Sequence, residues 1–274
     1  MKHLLSALLI FTIVFINFSC SDSDDITNET INEEIYIPTI GTTFEWRLDE
    51  LPNNFTTEAK VIDIDAFDAT PELIANLQAQ GKKVIAYVSV GSVEDFREDA
   101  NDFPPAVIGN VYEGFEDENW LDVRQIDLLA PIMKARLDMI QEKGFDGIEP
   151  DNINGYQNNT GFNLTEEDAK TYSRWLINEA HSRGLSIGQK NAEELIPDMV
   201  DEFDWLLTED AFVDDFYQQL SQYINNNKAV FLVEYTDVIS EVDFQNNVCP
   251  EAANLQYFAL LKDRDLTNVT FYCN

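Results

Sequence analysis

The chain is predicted to be an α/β protein built as a single (β/α)8 barrel. Three observations carry this expectation. After residue 40, short apolar strand-like runs alternate with helix-like segments about eight times, as a closed parallel barrel requires. The strand-like runs end, one after another, in polar or charged residues, as strands do when one barrel rim carries chemistry. About 235 residues follow the N-terminal leader and tether, close to the length of one such domain. A doubly wound open sheet is the competing architecture. The sequence holds no GxGxxG or GxxxxGK loop, which weakens a nucleotide-binding reading. No internal repeat is evident.

Each element has a local reason. Thr43-Phe44-Glu45-Trp46 is the first strand and Val61-Ile62-Asp63-Ile64-Asp65 the second. Pro71 to Gln80 reads as a helix stopped at Gly81, and Val84-Ile85-Ala86-Tyr87-Val88 as a buried third strand. Glu94 to Val123 is long and irregular, the pattern of a functional loop. From Gln125 to Lys143, Ile126, Leu129, Met133, Leu137 and Ile140 recur at helical spacing, and Gly144 ends the helix. Phe145 to Glu149 is the fourth strand. Thr165 with Asp168 forms a capping box that opens a helix through Tyr172, Trp175, Leu176 and Ala180, ending near Gly184. Leu185 to Gly188, Phe203 to Thr208 and Ala229 to Val233 supply the fifth to seventh strands. The last comes from Leu255 to Leu260 or from Val269 to Tyr272.

The organisation is a leader over 1–19, an acidic tether over 20–38 and the barrel domain over 39–274. Lys2 and His3 precede an apolar run, Leu4 to Ile16, too short to span a bilayer comfortably, and Ser19-Cys20 follows. This reads as a bacterial lipoprotein signal with Cys20 as the lipidated first residue, although Asn17 and Phe18 depart from the usual cleavage pattern. An ordinary secretory signal with an incidental cysteine is the alternative. Ser21-Asp22-Ser23-Asp24-Asp25 resembles the export tag of surface-displayed Gram-negative lipoproteins. The expected location is therefore the outer membrane and cell surface of a Gram-negative bacterium, with membrane contact only through the lipid anchor. With Cys20 lipidated, Cys249 and Cys273 remain as a natural disulfide pair in an oxidising compartment.

Fifty-one acids against 17 bases give a formal net charge of −34. Nucleic-acid phosphates would be repelled, so nucleic acid is excluded as a partner. Such a charge also serves as a solubilising surface, so it points to a cationic ligand only where acids cluster in a site. The chain has two histidines: His3 leaves with the leader, and His181 sits late in a helix. No His-based triad, zinc site or EF-hand spacing is present, and neither metal nor cofactor is expected. A monomer is expected.

Six consecutive strands deliver polar groups to one rim: Asp63, Asp65 and Asp68; Tyr87, Ser89, Ser92 and Glu94; Glu149, Asp151 and Asn152; Lys190 and Asn191; Glu209 and Asp210; Glu234 and Tyr235. Any single acid could be a solvated loop residue or a helix cap. The set favours a site. Like charges at a strand tip gain no packing, whereas two carboxyls facing across a cleft provide a general acid and a nucleophile or base for one glycosidic bond. Trp46, Tyr87, Trp120, Tyr156 and Tyr235 are candidates for stacking on sugar rings, with core packing equally open for each.

In order along the chain, several motifs resemble glycoside hydrolase family 114, the endo-α-1,4-polygalactosaminidase-like barrels. They are Asp63 to Asp68, Val84 to Glu94 with Arg97, Trp120 to Arg124, Gly144 to Asn152, Gly155-Tyr156 with Thr160 to Phe162, Ala180-His181 with Gly184-Leu185, Lys190-Asn191 and Glu234-Tyr235. The resemblance runs from about Trp46 to Tyr235, with a weaker tail to Cys273. It implies a (β/α)8 barrel that cleaves cationic α-1,4-linked galactosamine polysaccharide, with Asp151 and Glu209 as catalytic acids. One departure is that Asp210-Ala211-Phe212 replaces the cysteine that often follows the acid matching Glu209, which should loosen that loop.

As a mechanism, Asp151 is expected to attack and Glu209 to protonate the leaving oxygen, with net retention; the reverse assignment stays open. The acid is expected to have a raised pKa. Asp65, Asp68, Glu149 and Glu234 are expected to hold sugar amines and hydroxyls, with Trp46, Tyr87, Asn152 and Tyr235 completing the groove. Lys190 should orient a catalytic carboxylate or pair within the acid cluster. The competing classes are a non-catalytic surface glycan-binding lipoprotein on the same scaffold and a hydrolase of a different amino-sugar glycan. A binder of cationic peptide or metal rests on net charge alone.

Overall fold

The computed structural model describes residues 34–273. Cys20, the leader and most of the tether lie outside them. No helix among the described residues is long and apolar enough to cross a membrane.

The strands, in chain order, are β1 (Phe44–Arg47), β2 (Val61–Asp65), β3 (Lys83–Ser89), β4 (Ser92–Glu94), β5 (Ile108–Tyr112), β6 (Phe115–Leu121), β7 (Gly147–Asp151), β8 (Ser186–Lys190), β9 (Trp205–Glu209), β10 (Val230–Tyr235), β11 (Phe258–Lys262) and β12 (Thr270–Tyr272). The main sheet runs β1-β2-β3-β7-β8-β9-β10-β11, all parallel, with β12 antiparallel on β11. Both candidates for the last strand are thus present: β11 is the eighth parallel strand, and β12 folds back on it.

Side-chain alternation splits the sheet into two faces. Phe44 and Trp46 of β1, Ile85 of β3, Trp205 and Leu207 of β9, Phe231, Val233 and Tyr235 of β10 and Leu260 of β11 pack together as the barrel interior. The residues between them, such as Ile62, Ile64, Ile148, Ile187, Leu206 and Leu232, join the layer beneath the helices. Gly188 makes the interior possible, because a Cβ there would sit 2.6 Å from the Trp205 ring.

The helices are α1 (Pro71–Ala79), α2 (Ile126–Lys143), α3 (Glu166–His181), α4 (Ile196–Met199), α5 (Ser221–Asn225), α6 (Glu241–Asp243) and α7 (Cys249–Leu255). The end signals act as their chemistry dictates. Thr70 caps α1 by accepting from Leu73 N at 3.1 Å; Gly144 ends α2 at φ 92°; Thr165 and Asp168 form a reciprocal capping box on α3. The alternation is less regular than expected. A loop rather than a helix joins β1 to β2, and the helices after β8 and β9 span only four and five residues.

The segment from Glu94 to Val123 is not an irregular loop. It holds most of a three-stranded antiparallel sheet, β4-β6-β5, inserted between β3 and β7. Its hairpin turns at Glu113-Gly114, with Gly114 at φ 94°. An X-Gly turn between two segments is the local signal for this hairpin.

The seam between β1 and the β11–β12 pair is closed without a strand ladder. Leu48 N donates to Leu266 O at 3.1 Å. Fully buried Lys262 lies 3.4 Å from Glu45 Oε1, which also accepts from Thr270 Oγ1 at 3.0 Å, while Tyr272 OH donates to Glu45 Oε2. A disulfide joins Cys249, at the start of α7, to Cys273, just past β12. Glu45→Ala would leave the Lys262 ammonium buried without a counter-charge. It should lower stability by about 3–5 kcal/mol, read from urea unfolding, whereas Glu45→Leu combined with Lys262→Met should cost much less.

Candidate active site

The strand tips converge on one amine. β8 lies between β7 and β9, so its last residue, Lys190, projects between their inward-facing acids. Lys190 Nζ is 2.8 Å from Glu149 Oε1, 2.9 Å from Asp151 Oδ1 and 3.1 Å from Glu209 Oε2, and 4.6 Å from the centre of the Trp46 ring. Burial alone would push the Lys190 amine down, but Asp151, Glu149 and Glu209 outweigh it and hold the amine well above the ordinary lysine range.

One cation faces several carboxylates here, and the deepest ones are the least favourably charged. Burial pushes Asp63 and Glu149 well above the carboxylate range; Lys190 opposes the rise, and neighbouring acids add to it. Both Asp63 oxygens and Glu149 Oε2 lack any hydrogen-bond donor, which adds to the cost of charge there.

Asp151 and Glu209 are different. Their side chains are 18% and 25% exposed, whereas Glu149 is sealed, so they are the two members of the cluster that a substrate can touch. Tyr87 OH donates to Asp151 Oδ2 at 3.2 Å. Tyr235 OH donates to Glu209 Oε1. Asn191 clamps Glu209 twice: its Nδ2 donates to Oε2 at 2.9 Å, and its Oδ1 accepts from Glu209 N at 2.8 Å. Burial pushes the Glu209 carboxyl up, but Lys190, Tyr235 and Asn191 outweigh it and place it below its ordinary value. This is opposite to the raised value expected of an acid. Because Asp151 Oδ1 and Glu209 Oε2 share the Lys190 nitrogen, those two oxygens lie within about 6 Å of each other.

Each of these three strands ends in a left-handed residue: Asn152 (φ 66°) after Asp151, Asn191 (φ 48°) after Lys190 and Asp210 (φ 52°) after Glu209. Asn and Asp tolerate this region better than other residues with a Cβ. At Gly91 the backbones pass so close that a Cβ would fall 1.7 Å from Asn152 O. Asn152 Nδ2 in turn donates to Ser89 Oγ at 3.1 Å and Ser92 Oγ at 3.0 Å, fastening the inserted sheet to the rim.

Other expected site residues lie away from the exposed carboxyl pair or are buried behind it. Asp65 is held by both Arg97 terminal nitrogens, at 3.0 and 2.6 Å, leaving no free edge for a sugar. Asp68 is exposed on the loop after β2, where its charge acts on Lys143. Glu149 lies beneath Lys190. Trp46 and Trp120 are buried and present no face to a sugar, and Tyr235 is a carboxylate partner inside the barrel. The Tyr156 hydroxyl donates to Glu194, and His181 pairs with Asp204. Glu234 faces outward between Val233 and Tyr235 of the interior, and its Oε1 accepts from Phe212 N at 2.8 Å. It holds the loop after β9, as does Asp210 through Arg264 at 2.7 Å. That loop, expected to be loose without its cysteine, is tied in both places.

Two residues without a role in the sequence reading stand near the acids. Tyr112 of β5 feels the charges of Asp151 and Glu209, and its ring lies 4.3 Å from that of Trp120. Glu118 of β6 feels the charge of Asp151. The alternation of Glu118 with Trp120 was their available signal.

The sequence model of glycoside-hydrolase family GH114 matches residues 26–274. The chain belongs to glycoside-hydrolase family GH114. No curated protein matches it. Among solved structures, this GH114 chain is similar to Aspergillus fumigatus Ega3 in complex with galactosamine, at 32% identity over 88% of this chain and 98% of that one, with a TM-score of 0.83. It shares its fold with the glycoside hydrolase domain of PelA from Pseudomonas aeruginosa, at 15% identity over 85% of this chain and 98% of that one, with a TM-score of 0.66. The GH114 match and the likeness to Ega3 identify a glycoside hydrolase on an α/β barrel.

Burial pushes Glu234 up to about 7, with Asp210 and Asp214 adding and the Phe212 and Val213 backbone donors opposing. An unfolded Glu titrates at about 4.3, so between these values the folded protein holds a proton that the unfolded chain has lost. Stability should therefore fall as pH rises from about 4.3 to 7 and stay low above. Glu234→Gln should raise the unfolding free energy at pH 8, by on the order of 3 kcal/mol, and change it little at pH 4.

Proposed function

We propose that this protein is an endo-acting glycoside hydrolase that cleaves α-1,4-linked galactosamine-rich polysaccharide, with Asp151 and Glu209 as its catalytic carboxyl pair. The observation that carries this reading is the two partly exposed carboxylates bound to one buried lysine and facing the same space. The likeness to Ega3, whose structure contains galactosamine, supports the sugar.

The mechanism retains configuration. In the first reading Asp151 attacks the anomeric carbon, and Glu209 protonates the leaving oxygen and then activates water. The donors around Glu209 favour a second reading, in which Glu209 begins ionised and attacks while Asp151 serves as acid and base. In both, Lys190 holds the two carboxyls in register, and Tyr87 and Tyr235 orient them. The enzyme acts as a monomeric lipoprotein anchored through Cys20 at the surface of a Gram-negative bacterium, without metal or cofactor.

Product release from deacetylated α-1,4-galactosamine polymer tests the reading. Asp151→Asn and Glu209→Gln should each lower the rate about 10²–10⁴-fold while leaving the unfolding midpoint near that of the parent. A first product of α configuration, seen by proton NMR, supports retention; a β product sinks it. Azide separates the roles. The variant lacking the acid and base should yield α-glycosyl azide, and the variant lacking the nucleophile the β form.

A further inference from the structure

Among the described residues, every buried Asp or Glu is in ion-pair contact with a basic side chain except Asp63, Glu118 and Glu234. Asp63 is sealed in the barrel with both oxygens undonated, and Glu234 faces outward under the loop after β9. Glu118 alone stands at the rim. Its Oε2 accepts from Ser92 Oγ at 2.7 Å and from Asn152 Nδ2 at 3.4 Å, while its Oε1 takes no hydrogen bond from any described residue. The residue is 8% exposed, so a mostly buried carboxylate presents one edge that no described side chain pairs. Its register partner on β4, Glu94, is already neutralised by Arg97.

The charge of Glu118 bears on Tyr87 and Tyr112, and it feels that of Asp151. Asn152, the residue after Asp151, donates to Glu118 Oε2 at 3.4 Å, so Glu118 is tied to the end of β7 from the inserted sheet rather than from the barrel. A free ammonium fits such an edge: it brings the missing positive charge and up to three donors. An N-acetyl group brings one donor and no charge.

We propose that Glu118 is the specificity-determining residue that recognises the free ammonium of an amino-sugar unit. This rests on the glycosidase reading above and replaces the amine-binding role expected of Asp65, Asp68, Glu149 and Glu234. Burial, with Glu94, Asp151 and Asp117 adding and the Ser92 donor opposing, raises the empty Glu118 carboxyl to about 7. Tyr87 and Tyr112 complete the titratable groups whose charge is linked to it. An arriving ammonium favours the ionised form, so binding should release a proton below neutrality and tighten as pH rises from 5 towards neutrality, while the sugar amine is still protonated.

The test is calorimetric binding of α-1,4-galactosamine tetrasaccharide and its fully N-acetylated counterpart in the inactive Glu209→Gln background. Glu118→Gln keeps the acceptor for Ser92 and removes the charge. It should weaken binding of the deacetylated sugar about tenfold or more, leave the acetylated sugar within about twofold, and abolish proton release. Glu118→Asp, which keeps the charge, should retain the preference for the deacetylated sugar and part of the affinity. Ser92→Ala, which loosens the network but keeps Glu118, should also retain the preference. Equal weakening for both sugars, an unchanged affinity for the deacetylated one, or no binding of it by the background protein overturns the proposal. Absence of cleavage by the unmodified enzyme, with this binding pattern intact, would instead overturn the hydrolase reading and leave the ammonium site standing.

Discussion

The Lys190 ammonium sits where burial would ordinarily strip its proton, and it keeps that proton because Asp151, Glu149 and Glu209 crowd around it. Much of the rim follows from that arrangement. The acids must come from both neighbouring strands, which places Lys190 on the strand between them. Asp63 and Glu149 are pushed up by burial and by the neighbouring acids, against the pull of that one cation. Trp46 fills the space beside the amine and keeps water from relaxing the field. A field of this kind is a pre-organised one: it is in place before a substrate arrives.

The site was legible in the sequence to the extent that strand parity was. Lys190, Glu209, Tyr235, Tyr87, Glu149 and Asp151 share the inward phase of their strands with Trp205, Val233 and Ile85, and the structure brings them together. Glu234 fails by a single residue, since its neighbours Val233 and Tyr235 point inward and it cannot. Asp65 has the right parity, but Arg97, thirty-two positions later, occupies it. No local pattern announces a partner that distant. The aromatic residues misled for a related reason: a tryptophan on a strand fills a barrel as readily as it stacks on a sugar, and composition does not tell the two apart.

The inserted sheet was the least legible element. β4 is short, and β5 and β6 mix apolar with charged and small residues, so no strict alternation marks a face. The structure makes it part of the site, because Asn152 and the Ser89–Ser92 pair bind it to the end of β7. A barrel alone offers a shallow rim; the added sheet supplies a wall that carries Glu118 and Tyr112. Specificity can then vary on the insertion while the carboxyl pair stays on the barrel strands.

The left-handed residues after Asp151, Lys190 and Glu209 have a consequence for how this protein can change. Glycine at any of them would ease the backbone, yet Asn191 and Asn152 use their side chains to clamp Glu209 and the inserted sheet. A selection for heat resistance would therefore find little room at this rim, since the substitutions that relax the chain also release the groups it aims. Gains in robustness must come from elsewhere in the fold.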